Sequence, residues 1–150
     1  MNILDLLRND HTKLRHELIR IRQCLCLPGV RDRIKHFISL YEIHESTEEE
    51  LLFPVLDKLL KDLPEDEALI LFRETHDHIW ALLDQLMDTA DAMRYSELQR
   101  VFFHFVAATE AHLGMEERIL FPRIEARVDS RILEEMGRVA ERRFSNVSVR

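Results

Sequence analysis

The sequence predicts an all-α protein, an up-down-up-down four-helix bundle followed by a short C-terminal helix. Only 3 of the 150 residues are glycine and 4 are proline, and β-branched runs are few, so little in the chain opposes helix formation. Apolar residues recur at steps of three and four along most of the chain, which places them on one face of each helix. Long helices joined by short loops pack as antiparallel neighbours.

Length and composition indicate one globular domain over residues 1–150. Hydrophobic residues make up 46% of the chain and charged residues 33%, a balance typical of soluble proteins with a sizeable core. The net charge is -7 and no dense basic cluster is present, so we expect no nucleic-acid partner. No apolar run approaches the ~18 residues of a membrane span, and the N-terminus lacks a signal-peptide pattern.

The two cysteines, Cys24 and Cys26, lie two positions apart on the first predicted helix and therefore point in different directions. We expect two free thiols, as in a reducing cytoplasm, and a cytoplasmic location for the protein. A redox role for the Cys-x-Cys pair is the alternative, and two ordinary helix residues are the preferred interpretation.

The first and third predicted helices have matching apolar stripes. The first is expected over about residues 3–25, capped by Asn2, and the third over about residues 65–93. Counted from His11 and from His76, apolar residues fall at the same offsets of minus seven, minus four, plus three, plus seven and plus ten. Each stripe that should face the core is therefore interrupted by one histidine.

The second and fourth predicted helices share a longer motif. His44 is followed four residues later by Glu48, and His112 by Glu116, and Leu-Phe-Pro follows each histidine at plus eight to plus ten. The four-residue spacing places the imidazole and the carboxylate on one face, one turn apart. The proline removes a backbone donor and should kink or restart each helix.

The ends of the later elements are predicted from capping signals. A capping box over residues 96–99 should begin the fourth helix, and the ligand-bearing bundle should cover about residues 3–126. Asp129 should cap a short final helix over about residues 130–144. Residues 145–150 are expected to form a frayed tail.

The chain is interpreted as an internal duplication of a helix pair, in which His11 corresponds to His76 and His44 to His112, at offsets of 65 and 68. Burying ionisable groups in an apolar bundle is costly unless each is paired or bound to a metal. Four imidazoles and two carboxylates suit a pair of first-row metal ions, each held by two imidazoles and bridged by both carboxylates. The six predicted ligands are His11, His44, Glu48, His76, His112 and Glu116.

The other histidines are expected outside this set. His78 is turned by about 200° from His76 on a helix, and His16 lies off the stripe of the first helix, so both should be exposed. His36 and His104 each precede a predicted ligand by eight residues. They either donate hydrogen bonds near the site or are remnants of the duplication.

Several further polar residues lie close to the predicted ligands. Asp10 is expected to be a solvated neighbour, with orientation of His11 as the alternative. Tyr41, one turn before His44, either forms a hydrogen bond near the site or merely packs. Three acidic residues are expected on a charged outer face, with a role as an extra carboxylate ligand as the alternative: Glu45, Glu49 and Glu117.

These motifs resemble the hemerythrin-like, His-His-Glu cation-binding domains. The matching segments, within about residues 3–126, are Asp10-His11, His44-x3-Glu48-Glu49 with Leu52-Phe53-Pro54, His76, and His112-x3-Glu116-Glu117 with Leu120-Phe121-Pro122. The resemblance implies a four-helix bundle with a non-haem di-iron centre, two iron ions joined by an oxo or hydroxo bridge. It also implies that the first two histidines serve one iron, the last two serve the other, and both glutamates bridge. Other first-row metals suit the same donors.

Two differences separate this chain from the oxygen-carrying hemerythrins. Those proteins have a second histidine four residues after the one on helix three, where this chain has Trp80, and their last motif ends in Asp at plus five rather than Glu116 at plus four. The pattern is more similar to single-domain bacterial homologues and to iron–sulfur-cluster repair proteins, although their small cysteine-bearing N-terminal domain is not expected here.

The resemblance implies a di-iron protein that reacts with or senses oxygen, nitric oxide or peroxide, or that handles iron. The alternative is a di-iron redox enzyme or iron donor in peroxide or nitric oxide stress and iron–sulfur cluster repair. A module in which the metal is only structural is a third interpretation. The sequence favours neither a monomer nor a homodimer.

Overall fold

The computed structural model describes residues 1–62 and 66–147. The predicted start of the third helix and the last three residues of the predicted tail lie outside these ranges. Within them the chain forms α1 (Ile3–Gln23), α2 (Val30–Thr47), α3 (Phe53–Asp62), α4 (Glu67–Asp91), α5 (Tyr95–Met115), α6 (Phe121–Arg127) and α7 (Ser130–Val147). Two π-helical turns, Glu48–Leu52 and Glu116–Leu120, join α2 to α3 and α5 to α6.

Four long helices form the bundle, which confirms the predicted all-α class. α1 contacts α2 and α5, and α4 contacts the same two helices, so the four close into a ring. The C-terminal part of α1 shares one apolar cluster with the N-terminal part of α2, and α4 and α5 repeat this arrangement. Successive helices are therefore antiparallel. α7 packs against α1 and continues to Val147, beyond the expected end at residue 144.

The π-helical turns begin at equivalent places in the two halves of the chain, α1 to α3 and α4 to α6. In each turn the backbone N–H of the phenylalanine before the proline reaches back five residues, Phe53 to the carbonyl of Glu48 and Phe121 to that of Glu116. A π turn holds one more residue than an α turn. Each predicted proline interruption is therefore a wide turn followed by a new helix. The first residue of each wide turn, Glu48 or Glu116, is a predicted ligand.

Helix capping agrees with prediction at two of three sites. The Asn2 side chain accepts a hydrogen bond from the backbone N–H of Asp5 at 2.9 Å, and Asp129 accepts one from the N–H of Arg131 at 2.8 Å. The prediction that a capping box over residues 96–99 begins the fourth helix was wrong. α5 begins one residue earlier, after Arg94, which makes no side-chain cap.

The core consists of two apolar clusters separated by a polar layer. The upper cluster lies within residues 14–25, 30–41, 79–90 and 98–105. The lower cluster lies within residues 3–7, 52–59, 69–72, 120–124 and 133–140. The six predicted ligands fall between these segments on every helix, so the fold places them in a layer with apolar side chains above and below.

Two smaller expectations also agree with the structure. Cys24 and Cys26 are both free thiols, the first partly buried and the second exposed. Of the helices that the structure describes, none is both long and apolar enough to span a bilayer.

Gly137 sets the distance between α7 and the start of α1. A Cβ atom added there would overlap the carbonyl oxygen of Met1 and lie 3.0 Å from the backbone carbon of Asn2. Backbone atoms cannot swing aside as the end of a flexible side chain can. α7 therefore docks against α1 because this position has no side chain.

We predict that Gly137→Ser lowers the free energy of unfolding by about 1–3 kcal/mol, the range for overpacking a closely packed site. Chemical denaturation followed by circular dichroism measures the change. Gly29→Ser is the matched control, because a Cβ at position 29 meets no atom within 4 Å and serine is a good cap at this helix start. Equal stability of the two variants would show that α7 docks independently of Gly137.

Candidate metal centre

All six predicted ligands are buried in the polar layer, with exposed fractions between 0% and 5%. The structure brings them together as the core-facing stripes predicted. Side chains this far from water lose the hydration that stabilises their charged forms. What surrounds each one therefore decides its charge and its chemistry.

Glu48 joins the two halves of the chain. One of its carboxylate oxygens, Oε1, lies 2.8 Å from Nε2 of His44, on its own helical segment. The other, Oε2, lies 3.3 Å from Nε2 of His76 on α4. A single carboxylate thus faces one imidazole from each half.

Glu116 repeats this arrangement from the second half. Its Oε1 lies 3.0 Å from Nε2 of His112, and its Oε2 lies 3.0 Å from Nε2 of His11 on α1. All four imidazoles therefore direct Nε2 into the layer, and both carboxylates span the two halves.

The donor atoms form two compact groups. In each group, one ligand atom per residue lies within 4.8 Å of every other. The first group is His11, His44, Glu48 and Glu116, and the second is Glu45, Glu48, His76 and His112. Each group takes both histidines from one half, so the pairing of histidines that the family resemblance implied is present in the geometry.

Many of these donor atoms are close together without being aligned for hydrogen bonds. Four of these buried atoms have no hydrogen-bond partner among the described residues: Nε2 of His44, both carboxylate oxygens of Glu48, and Nε2 of His112. Buried polar atoms left in this state are costly. One cation in each donor group would satisfy these atoms, so the residues present fit a pair of metal ions.

The expectation that Glu45 lies on the outer face was wrong. Glu45 is 2% exposed, and its Oε2 lies 2.5 Å from Nδ1 of His76. α2 packs against α4 as well as α1, so its buried arc is wider than the single stripe that includes His44. Glu49 is exposed as expected.

Asp10 is also buried, and it contacts a different histidine from the one proposed. Nδ1 of His44 donates to Asp10 Oδ2 at 3.3 Å, so the expectation of a solvated neighbour was wrong, and the partner is not the His11 of the alternative. Asp10 also lines an open surface cavity with Lys13, His16 and Glu141. It therefore fixes the orientation of His44 and connects the back of this imidazole to solvent.

Thr75 has the corresponding position behind His112. The Thr75 hydroxyl donates to the backbone carbonyl of Phe72 at 3.0 Å, and its oxygen lies 2.9 Å from Nδ1 of His112. This contact at Nδ1 fixes the orientation of His112 and leaves its Nε2 facing the layer. No sequence signal marked Thr75, although it precedes His76 as Asp10 precedes His11.

Glu117 connects the layer to a surface ion-pair network. Its Oε1 lies 3.5 Å from Nδ1 of His11 and 2.6 Å from a guanidinium nitrogen of Arg15, which also contacts Glu110. Burial raises the pKa of the Glu117 carboxyl, but the contacts with Arg15 and His11 together outweigh this effect and the pKa is lowered overall. Glu117 therefore stays anionic beside His11.

The electrostatics of the layer favour cations. Burial lowers the pKa of His76, but contacts with Glu45 and Glu48 raise it to about 10. Burial raises the pKa of Glu116, yet contact with His11 holds it well below its usual value. With no metal between them, the carboxylates raise the pKa values of His44 and His76 and draw protons onto these two imidazoles. Metal ions would replace those protons, since metal binding to such sites releases them.

Tyr41 lies at the border between the polar layer and the upper cluster. Its ring stacks on Phe37 at a centroid distance of 5.8 Å and meets Trp80 edge-on at 5.1 Å. Burial raises the pKa of the phenol well above its usual value, and Glu45 raises it further. Tyr41 therefore remains a neutral phenol.

The four remaining described histidines are all exposed: His16, His36, His78 and His104. This agrees with the expectation for His16 and His78. Nε2 of His36 lies 3.8 Å from Glu17 Oε1, and Glu17 is not one of the six predicted ligands. The structure thus gives no support to His36 as a hydrogen-bond donor near the site.

Comparison with known proteins was made at the level of families, of curated proteins and of solved structures. The model of the family described as Hemerythrin HHE cation binding domain matches the chain over residues 2–92 and again over residues 68–143. No curated protein and no solved structure matched. The family matches together extend over nearly the whole chain, and the buried histidine and glutamate groups are consistent with cation binding. The chain belongs to the hemerythrin HHE cation-binding domain family.

Proposed function

We propose that this protein holds two iron ions in the polar layer and reacts with or senses a small molecule there. The observation that supports this most directly is that Glu48 and Glu116 each contact two histidines, one from each half of the chain. Two carboxylates in this arrangement can bridge neighbouring ions. Imidazole and carboxylate donors suit iron, although other first-row metals accept them too.

The proposed histidine ligands follow from the two donor groups: His11 and His44 would hold one ion, and His76 and His112 the other. Glu48 belongs to both groups, and Glu116 contacts His11 and His112, so both glutamates would bridge. Two imidazoles and two bridges leave coordination positions open on each ion. A reducible metal pair with open positions supplies the means to bind oxygen, nitric oxide or peroxide and to exchange electrons with it.

The protein residues would then position the ions and control access to them. Asp10 and Thr75 hold His44 and His112 with Nε2 facing inward, and such outer contacts orient metal ligands and tune their basicity. The apolar clusters on both sides exclude bulk water. The cavity beside Asp10 offers solvent and small molecules an approach to the layer.

The depth of the site favours small-molecule chemistry over the donation of iron. All six proposed ligands are at most 5% exposed, so an iron acceptor would reach them only if the helices separated. A small molecule needs no such opening. We therefore place a sensor or binding protein first, with a di-iron redox enzyme as the alternative. Free thiols at Cys24 and Cys26 suit a reducing cytoplasm.

The metal content tests the proposal directly. Protein purified without oxygen should contain two iron ions per chain and, after exposure to air, show the near-ultraviolet charge-transfer bands of a bridged ferric pair. His44→Ala and His112→Ala should each lose iron, whereas His78→Ala should retain it because His78 is exposed. A folded wild-type protein without metal, or equal losses in all three variants, would contradict the proposal.

The role of Glu45 can be tested separately. Glu45→Gln keeps the shape of the side chain but removes the charge beside His76, so one of the two ions should be held about 10–100-fold more weakly. Competition with a chelator, followed by iron analysis, should then give one ion per chain where the wild type retains two. The matched control is Glu49→Gln, four positions along from Glu45, which is exposed and should behave as wild type.

Turnover distinguishes the sensor from the enzyme. The iron-loaded protein should change its optical spectrum on addition of peroxide or nitric oxide without sustained consumption of either, which an electrode can follow. Glu116→Gln, which lacks a proposed bridge, serves to identify activity that arises at the metal pair. Sustained consumption that this variant abolishes would favour the redox enzyme instead.

A further inference from the structure

We propose that the Tyr41 hydroxyl donates a hydrogen bond to the small molecule bound at the metal pair, and so selects ligands that accept one. This inference rests on the proposed function, because the ligand must occupy an open position on the ions. It adds a residue that does not coordinate the metal but would contact the bound small molecule.

The first observation is an unsatisfied donor. Tyr41 is 0% exposed. The Glu45 carboxylate lies close enough to act on its phenol, but within the described part of the chain no group is in hydrogen-bonding geometry with the hydroxyl. A buried tyrosine normally finds a partner for this group, and leaving it unpaired costs free energy. A ligand that accepts a hydrogen bond would provide the missing partner.

The second observation is location. Tyr41 lies one turn before His44 on α2, and the two ring centroids are 6.4 Å apart. The charges of Glu45, Glu48 and Glu116 all act on the phenol, which places it within electrostatic reach of the polar layer. The hydroxyl is therefore at the edge of the layer that the proposed ions would occupy.

The third observation is that the ring is held in place. Phe37 stacks on one side of it and Trp80 meets it edge-on. The fixed ring would give the hydroxyl a defined direction before any ligand arrives, and a donor positioned in advance needs no reorganisation on binding.

The corresponding position in the second half is Thr109, three residues before His112 as Tyr41 is three before His44. Thr109 is 1% exposed, and its hydroxyl also lacks a partner among the described residues. A threonine hydroxyl is attached to Cβ and stays beside its own helix, whereas the tyrosine hydroxyl extends from it by the length of a ring. We therefore assign the donor role to Tyr41 alone.

The expected consequence is selectivity among small ligands. Azide, nitrite and peroxide accept hydrogen bonds well, whereas carbon monoxide accepts them poorly. Inside a low-dielectric site such a bond is stronger than in water. Tyr41 should thus favour the first class over the second.

Tyr41→Phe tests this inference, because it removes the hydroxyl and keeps the ring between Phe37 and Trp80. Azide titration of the iron-loaded protein should show an affinity about 5- to 10-fold lower in the variant, the equivalent of one hydrogen bond. The azide stretching frequency should shift between H2O and D2O in the wild type and not in the variant. Iron content should remain the same in both.

Thr109→Val is the matched control and should leave azide affinity unchanged. Three results would overturn the assignment: equal azide affinity in the wild type and Tyr41→Phe, an equal loss in Thr109→Val, or a tyrosinate-to-iron charge-transfer band in the wild type, which would make Tyr41 a metal ligand. In each of these cases the metal pair itself would stand. A wild-type protein without iron would instead overturn both proposals.

Discussion

The structure depends on how the bundle compensates for burying a layer of ionisable side chains between two apolar clusters. Taking one charged group out of water costs several kcal/mol even after relaxation, and six such groups meet in this layer. Glu48 and Glu116 each offset this cost for imidazoles from both halves. The need for this compensation explains why the four helices have a single register, since sliding one helix would leave its partners' charges unmatched.

Much of this arrangement could be predicted from the sequence, because the strongest signals were polar residues at positions where the pattern calls for apolar ones. Histidines within otherwise apolar stripes indicated both the helix faces and the depth at which the side chains meet, and the structure brings them together as expected. Glu45 was missed because the width of the buried arc on α2 depends on two neighbouring helices at once. Thr75 was missed because its contact with His112 crosses from α4 to α5. Neither kind of information is present in a single helical stripe.

The two halves of the layer are similar in backbone but different in charge. Asp10 lies behind His44, whereas the neutral Thr75 lies at the equivalent place behind His112. Glu45 is buried beside His76, and the residue one position after His112 is the apolar Leu113. Two ions in these positions would experience different electrostatic fields, so they would differ in the ease with which each is oxidised or released.

The paired π turns also bear on the internal duplication of the chain. A π turn holds one more residue than an α turn, and here it begins at the ligand glutamate in both halves. The same extra residue at both places is consistent with the internal duplication of a helix pair. The offsets of 65 and 68 between corresponding histidines place a three-residue difference in the segments between them. The extra residue at each glutamate, by contrast, is present in both halves.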